Sequence, residues 1–407
     1  MAIPNETLLR LAEERGTPLY VYDGDLVVQR YNELFDFIEW RPLRIHYAMK
    51  ANYNPIILSL LRDAGASIDA VSPAEVELVL ALGFPRENVI YTANNMTDAE
   101  VAEVMETGVL FNIGSLSRLE KFAKAYPGTE ICLRFNPDVV DGAHKHIMTG
   151  GDLTKFGILM KDADKAAEIA RSANLRVVGL HEHTGSGLQH TESVFKSMEN
   201  LMSLATPKRF PDLRFMDFGG GFKVPYRPDE ERIDYPAMGA EITRRFADFA
   251  ERYGNDDIEM RFEPGKYIVA EAGFLITRVN TLKDNNGRLI AGCDSGFPQI
   301  IRPILYEAYH HIVNISNPNG EIREYDVCGN ICESGDRFAE SRPLPEIREG
   351  DLLSIENAGA YCYSMGSVYN LRPMPPEVVV ANGEVKTTKP RISNKRLAES
   401  ILEGAPI

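Results

Sequence analysis

Long apolar runs are missing from this 407-residue chain. A membrane-spanning helix needs about 20 consecutive apolar residues, and no stretch approaches that length, so we expect no membrane span. The first ten residues are polar and lack the apolar segment of a secretory signal peptide. The sequence therefore predicts a protein that stays in the cytoplasm.

Basic residues are outnumbered and cysteines are few. The chain has 44 lysines and arginines against 59 aspartates and glutamates, a net charge of -15 at pH 7. A field of this sign disfavours nucleic acid and anionic membranes as partners. An odd number of cysteines, five, favours free thiols in a reducing compartment. Cys328 and Cys332 have a metal-like spacing, but no second cysteine or histidine pair lies near them in sequence, and we predict no metal.

Short β-branched or aromatic runs alternate with amphipathic segments from residue 44 to residue 263. The first five runs begin roughly twenty residues apart, which suits compact strand–helix units with parallel strands. Eight such units that close on themselves form an α/β fold, the (β/α)8 barrel. The alternative is an open doubly wound sheet, which we disfavour because no Gly-x-Gly-x-x-Gly follows the first strand. The predicted strands are Arg44–Met49, Ser67–Val71, Asn88–Thr92, Val109–Ile113, Glu130–Phe135, Arg176–His181, Arg214–Phe218 and Ile258–Glu263.

Helical patterns nearly disappear after residue 270. Strand-like runs separated by turn residues indicate a mostly antiparallel β-domain there. The early strand Pro18–Tyr22 lies outside the barrel count, and we expect it to join that domain. The predicted divisions are an N-terminal segment over 1–35 that packs with the β-domain, the barrel over 36–270, the β-domain over 271–385 and a tail over 386–407.

The first predicted barrel strand leads to Lys50. A turn must follow, because Asn54 precedes Pro55 and is biased away from helix. A lysine at a strand exit is ordinarily a side chain whose stem lies over apolar surface. The same position suits a lysine that forms a Schiff base with a cofactor aldehyde. Because a barrel holds its active site at the carboxyl ends of its strands, the residues after the other strands decide between the two interpretations.

Glycine loops follow two of the later strands. Gly219, Gly220 and Gly221 follow the seventh strand, where backbone N–H groups can approach an anion without obstruction by a Cβ atom. Phosphate sites in barrels often follow strands seven and eight. Ser186, in a Gly-Ser-Gly loop, could donate to the same phosphate. A plain tight turn is the alternative interpretation of the glycine triplet.

Two histidines and a glutamate complete the strand ends. His181 and His183 are spaced i, i+2 and so face the same way on a strand; without an obvious third ligand we favour ring stacking by His183 over a zinc pair. Glu263 ends the eighth strand, where a carboxylate would keep a pyridine nitrogen protonated. A surface glutamate is the alternative. Taken with Lys50 and the glycines, these groups meet the requirements of pyridoxal phosphate.

In combination these motifs make the chain resemble the fold type III, or alanine-racemase-like, pyridoxal-phosphate decarboxylases. The motifs occur in the family's order from residue 47 to residue 376, so the resemblance covers nearly the whole chain. They are Tyr-Ala-Met-Lys-Ala-Asn (47–52), His-Thr-Gly-Ser-Gly (183–187), Gly-Gly-Gly-Phe (219–222), Glu-Pro-Gly-Lys (263–266), Ile-Arg-Pro-Ile-Leu-Tyr (301–306), Cys-Glu-Ser-Gly-Asp (332–336) and Asn-Ala-Gly-Ala-Tyr (357–361).

The resemblance implies roles toward the cofactor. Lys50 would hold pyridoxal phosphate covalently, His183 would stack on its ring, and Glu263 would pair with the ring nitrogen. The further cofactor contacts that it implies are those of Ser186, Gly219, Gly220, Gly221, Gly265, Lys266 and Tyr361.

The resemblance also implies a reaction, the decarboxylation of meso-2,6-diaminopimelate to L-lysine and CO2 in lysine biosynthesis. Cys332 would protonate the carbanion that remains. The Cys-Glu loop would reach into the neighbouring subunit's site, so a homodimer with shared active sites is expected. The substrate contacts that the resemblance implies are those of Lys266, Arg302, Tyr306, Glu333 and Tyr361.

Two positions depart from the family pattern. Lys266 stands where arginine is usual, and lysine does not bind a carboxylate with two parallel hydrogen bonds. Val368 stands where asparagine is more usual. The alternative function is a related decarboxylase that acts on ornithine, lysine, arginine or carboxynorspermidine. An alanine-type racemase would need a second base opposite Lys50 and would not need a distal-binding Arg302.

Overall fold

The computed structural model describes residues 3–139, 154–185 and 190–405. The strands, in chain order, are β1 Leu19–Asp23, β2 Leu43–Ala48, β3 Ser67–Ala70, β4 Val89–Tyr91, β5 Leu110–Ile113, β6 Glu130–Asn136, β7 Ile158–Leu159, β8 Arg176–His181, β9 Phe215–Asp217, β10 Glu259–Phe262, β11 Gly273–Asn285, β12 Arg288–Cys293, β13 Ile312–Asn314, β14 Ile322–Cys328, β15 Arg337–Pro345, β16 Leu352–Ile355, β17 Glu377–Ala381 and β18 Glu384–Lys389. The α-helices are α1 Asn5–Arg15, α2 Gly24–Phe37, α3 Pro55–Asp63, α4 Pro73–Ala81, α5 Asp98–Thr107, α6 Leu116–Ala125, α7 Ala163–Ser172, α8 Thr191–Leu204, α9 Tyr235–Tyr253, α10 Lys266–Val269, α11 Arg302–Tyr306 and α12 Asn394–Leu402.

Eight parallel strands close into a barrel. Around the ring β2 is followed by β3, β4, β5, β6, β8, β9 and β10, and β10 pairs again with β2. The predicted (β/α)8 barrel is confirmed, and each predicted strand is present with ends that differ by one residue at most. The two-residue strand β7 was not predicted; it pairs with β6 outside the ring. The apolar runs were visible in the sequence because barrel strands are buried on both faces.

The segment after β2 shows how local sequence positions a side chain at the barrel mouth. Strand β2 ends at Ala48, and Met49–Ala51 form a single 3-10 turn. Asn54 then caps α3: its side chain accepts a hydrogen bond from the backbone N–H of Ile56, and Pro55 takes the first helical position, where its missing N–H costs nothing. The strand end and the capped helix together fix the turn that contains Lys50.

A second sheet forms the β-domain. Its order is β15, β14, β12, β11, β1, β17 and β18, with β16 beside β11 and β13 beside β16. Most pairs are antiparallel, and the exceptions are β1 with β17 and β12 with β14. Strand β1 lies between β11 and β17, which confirms that the N-terminal strand joins the C-terminal sheet.

Two further predictions concern cysteines and membranes. The five cysteines are free thiols; Cys132, Cys293 and Cys362 are buried, and Cys332 is exposed. Among the residues that the structure describes, no helix has both the length and the apolar character needed to cross a bilayer.

Candidate active site

A cavity of about 690 Å³ lies at the carboxyl ends of the barrel strands, where the barrel meets the β-domain. Ser186 lies outside the described residues, and Gly219 adjoins the lining. The predicted site residues that line the cavity are Lys50, His183, Gly220, Gly221, Glu263, Gly265, Lys266, Arg302, Tyr306 and Tyr361. Lining residues that the sequence analysis did not single out include Asp69, Arg134 and Tyr226.

The ammonium of Lys50 forms an ion pair with the carboxylate of Asp69. Asp69 is fully buried in β3, the barrel neighbour of β2. Burial alone would lower the pKa of Lys50, but the negative charge of Asp69, with smaller effects of Tyr361 and Glu263, raises it above the usual value. Lys50 is therefore held as a cation at the cavity. In the sequence, Asp69 is the one charged residue of β3, and this could have marked it as a candidate site residue.

The loop that carries Tyr361 is bonded to the Lys50 turn. The backbone N–H of Tyr361 donates to the Ala51 carbonyl at 2.8 Å, and the Asn52 side-chain amide donates to the Gly359 carbonyl at 3.0 Å. Tyr361 has a φ of 57°, a left-handed conformation that is uncommon for a residue with a side chain. Such conformations persist only where the surrounding contacts hold them. Here the two hydrogen bonds hold Tyr361 of the β-domain beside Lys50 of the barrel.

The Glu263 carboxylate is held by a histidine. His181 Nε2 lies 3.0 Å from Glu263 Oε2, and both side chains are buried. Burial lowers the pKa of His181 well below its usual value, and the charge of Arg134 adds to the effect, so the neutral ring donates from Nε2. Burial raises the pKa of Glu263, against the opposing charges of Lys50 and Arg134. Glu263 Oε1 has no hydrogen-bond partner among the described residues.

The glycine turn after β9 leaves no room for side chains. Gly219 and Gly221 have positive φ values of 62° and 107°, which favour glycine. A Cβ atom on Gly219 would lie 2.6 Å from His183 Nδ1, and one on Gly220 would lie 2.5 Å from the Glu263 carbonyl oxygen. The backbone N–H of Gly220 donates to His183 Nδ1 at 3.1 Å. The turn therefore sets the orientation of the His183 ring, and His181 and His183 have different partners rather than forming a pair.

Two buried basic side chains line the cavity without an acidic partner among the described residues, Lys266 and Arg302. Lys266 is the first residue of α10. The Arg302 Nε donates to His310 Nε2 at 3.3 Å, and the guanidinium carbon lies 4.9 Å from the centroid of the Tyr226 ring. Burial and the charge of Arg302 lower the pKa of Lys266 to about 7, with Cys362 opposing. Unpaired buried cations are costly, so this wall favours an anionic ligand.

Cys332 and Glu333 lie elsewhere. Both are exposed on the segment between β14 and β15, and within the described parts of the chain neither belongs to the cavity lining. Glu333 Oε1 accepts a hydrogen bond from the Tyr369 hydroxyl at 3.0 Å. A single chain thus brings the other described site residues together but not these two.

The cavity fits pyridoxal phosphate. Lys50 supplies a primary amine, Glu263 supplies a buried carboxylate oxygen without a hydrogen-bond partner among the described residues, and the glycine turn supplies backbone that an anion can approach. The His183 ring, held by the Gly220 backbone N–H, lines the same cavity, where an aromatic ring can lie against a planar cofactor. The arrangement can therefore hold an aldehyde cofactor and, at Lys266 and Arg302, an anionic part of a substrate.

Comparison with known proteins agrees with this geometry. The profile of the family described as "Pyridoxal-dependent decarboxylase, pyridoxal binding domain" matches residues 26–270. The chain belongs to the pyridoxal-dependent decarboxylases. The resemblance seen in the sequence motifs is thereby confirmed, and with it the cofactor and the carboxy-lyase class.

Individual relatives resemble the chain over nearly its full length. A diaminopimelate decarboxylase from Methanothermobacter thermautotrophicus is 42% identical over 390 residues, which cover 94% of this chain and 91% of that protein. The crystal structure of diaminopimelate decarboxylase from Helicobacter pylori complexed with L-lysine has a TM-score of 0.88 at 31% identity and covers 98% of this chain and 100% of that one. A lysine/ornithine decarboxylase from Vibrio vulnificus complexed with putrescine has a TM-score of 0.82 at 25% identity, with coverage of 93% and 98%.

Proposed function

We propose that the protein decarboxylates meso-2,6-diaminopimelate to L-lysine and CO2 with pyridoxal phosphate. The observation that carries the substrate assignment is the pair of buried basic side chains, Lys266 and Arg302, in the same cavity as Lys50. Diaminopimelate has a second carboxylate at its far end, and ornithine and lysine do not. The 42% identity to an enzyme named diaminopimelate decarboxylase supports the same substrate.

Cofactor binding is assigned to the barrel side of the cavity. Lys50 holds the cofactor aldehyde, His183 lies against the ring, and Glu263 pairs with the ring nitrogen. When bound, pyridoxal phosphate supplies the electron sink for the electrons that the departing CO2 leaves behind. A carboxylate at the ring nitrogen stabilises the protonated ring, and Glu263 is the residue proposed to supply it. The remaining proposed contacts are those of Ser186, Gly219, Gly220, Gly221, Gly265, Lys266 and Tyr361.

Substrate binding is assigned to the β-domain side. Arg302 is held in place by His310 and by the Tyr226 ring, so its planar fork meets a carboxylate with little loss of freedom. Lys266 adds a second positive charge as a point donor. The proposed substrate contacts are Lys266, Arg302, Tyr306, Tyr361 and, for the distal ammonium, Glu333.

We further propose a homodimer in which each site is shared. Cys332 is the acid proposed to protonate the α-carbon after CO2 leaves, yet it is exposed and lies outside the cavity of its own chain. A second copy that delivers Cys332 and Glu333 would complete the site. Apolar side chains beside this segment support an interface: Ile304 and Leu305 are 40% and 43% exposed, and Tyr369 is 47% exposed.

The remaining assignments concern organisation and compartment. We infer that residues 1–35 act with a β-domain over 271–385, that 36–270 form the cofactor-binding barrel and that 386–407 form a tail. The membership of β1 in the second sheet supports the first of these. Free thiols and a net charge of -15 support a cytoplasmic protein with no nucleic-acid or membrane partner.

The test is a decarboxylation assay with the purified protein and pyridoxal phosphate. We expect CO2 and L-lysine from meso-2,6-diaminopimelate, and no product with Lys50→Ala. Ornithine, L-lysine and arginine are measured in parallel. A protein that binds the cofactor through Lys50 but releases CO2 faster from one of these three would have the alternative function, a decarboxylase for another basic amino acid. The Vibrio vulnificus structure shows that this fold supports that substrate class.

A further inference from the structure

Glu263 is held from inside the barrel by His181, a residue that does not itself line the cavity. His181 is the last residue of β8 and is fully buried. Strand β9 separates β8 from β10, the strand that Glu263 follows. Only the curvature of the closed barrel brings the two side chains within 3.0 Å, His181 Nε2 to Glu263 Oε2. Asp217 lies opposite His181 in the register of β8 and β9.

In the hydrogen bond between His181 and Glu263, the histidine is the donor. A neutral imidazole carries a single N–H, and burial keeps His181 neutral by lowering its pKa. Because a carboxylate oxygen only accepts, the hydrogen is on Nε2. Glu263 Oε2 is therefore occupied, and Oε1 is the oxygen that has no partner among the described residues.

Asp217, which lies in the same buried cluster, forms its hydrogen bond elsewhere. Its Oδ1 accepts from the backbone N–H of Gly219 at 3.0 Å. Burial, with the nearby charge of Glu263, raises the pKa of Asp217 well above its usual range, and its Oδ2 has no hydrogen-bond partner among the described residues. Among the described residues, the side-chain hydrogen bond to the Glu263 carboxylate therefore comes from His181, while Asp217 binds the glycine turn.

We propose that His181 is a positioning residue for the decarboxylation, holding Glu263 by one carboxylate oxygen so that the other is presented to the ring nitrogen of the cofactor. The inference rests on the proposed function, in which Glu263 pairs with that nitrogen. A carboxylate fixed by a second hydrogen bond has its rotamer locked before the cofactor binds, and such supporting contacts determine whether a site holds its geometry.

The test compares variants that keep or remove the Nε2 donor. His181→Gln places an amide N–H near the position of Nε2, whereas His181→Leu removes the donor at similar volume. We expect kcat to fall about ten- to hundredfold in His181→Leu, with KM for meso-2,6-diaminopimelate nearly unchanged. The visible absorbance of the bound cofactor, recorded against pH without substrate, will also change in His181→Leu and return toward wild type in His181→Gln.

A double variant separates positioning from general damage. If His181 acts through Glu263, adding His181→Leu to Glu263→Gln will cause no further loss of kcat, because coupled residues are not additive. A full additional loss, or a kcat and pH-dependent spectrum of His181→Leu that match wild type, would overturn the proposal. Should His181→Leu not fold, as judged by thermal melting of the apoprotein, His181→Asn removes the same donor and replaces it in every comparison.

The two proposals fail separately. If wild type does not turn over meso-2,6-diaminopimelate, the proposed substrate is wrong, and kcat is then measured with whichever amino acid the enzyme decarboxylates. The cofactor spectrum requires no substrate, so an unaltered spectrum in His181→Leu counts against His181 whatever the substrate is.

Discussion

Asp69 of β3 and Lys50 of the turn that follows the neighbouring strand β2 form an ion pair. The carboxylate keeps the lysine charged in an environment where burial alone would favour the neutral amine. The same contact that places the amine in the cavity therefore delays its reaction with an aldehyde, because only the neutral amine is a nucleophile.

Replacing Asp69 with asparagine should accelerate cofactor attachment at neutral pH. Without the negative charge the pKa of Lys50 falls, and we expect the apoprotein to react with pyridoxal phosphate at least about tenfold faster at pH 7. The measurement is the rise of visible absorbance after mixing, from pH 6 to pH 9. Asp63→Asn, at an exposed aspartate, is the matched control. A rate profile of Asp69→Asn identical to that of the control would show that the ion pair does not govern Lys50.

Lys266 should make substrate affinity depend on pH. Its pKa of about 7 means that the ammonium is present below pH 7 and is lost as pH rises above it. Because the charged form binds the carboxylate, we expect KM for meso-2,6-diaminopimelate to rise above pH 7 by up to about tenfold per pH unit, with little change in kcat. Lys266→Arg should flatten the curve, since arginine stays charged. Superimposable KM profiles for the two proteins between pH 6 and 8.5 would contradict this.

Shared sites predict activity from a mixture of inactive proteins. Lys50→Ala and Cys332→Ala are each expected to be inactive, but a heterodimer of the two has one site with both residues intact. Statistical pairing then restores about a quarter of wild-type activity. Co-expression with two different tags and a decarboxylation assay measures it. Co-expressing Lys50→Ala with Lys50→Met is the control and should give none. Failure of the first pair to exceed the second would show that the sites are not shared in this way.

Gly219→Ala should weaken both stability and cofactor binding. The left-handed conformation costs a residue with a Cβ atom about 1–2 kcal/mol, and the Cβ would also meet His183 Nδ1. Gly254→Ala is the matched control: Gly254 has a φ of 81°, and a Cβ there has nothing within 4 Å. We expect a lower melting temperature for both variants and a loss of pyridoxal phosphate affinity for Gly219→Ala alone, as measured by titration of the apoprotein. Equal affinities for pyridoxal phosphate in the two variants would show that the glycine turn does not contribute to cofactor binding.

The barrel could be predicted from the sequence because the patterns that indicate its strands and helices are local. Strands buried on both faces appear as β-branched runs, and parallel strands require helices between them, so eight alternations were enough. The positions of Lys50, Glu263 and the glycines followed as well, because parallel strands present all their carboxyl ends at one face. Membership of β1 in the second sheet could be expected, but its place between β11 and β17 could not, since pairing over such a separation leaves no local pattern.

By itself, then, the sequence determined which residues stand at the mouth of the barrel and which family the chain belongs to. Only the tertiary structure decided which of them touch. Asp69 reaches Lys50 because β3 is the neighbour of β2, and His181 reaches Glu263, 82 residues away, because the ring closes. The tilt and stagger of the strands in a closed barrel determine which side chains become neighbours. The tilt and the stagger cannot be predicted from the sequence of any single segment. The exposed position of Cys332, away from the cavity of its own chain, likewise appears only in the folded chain.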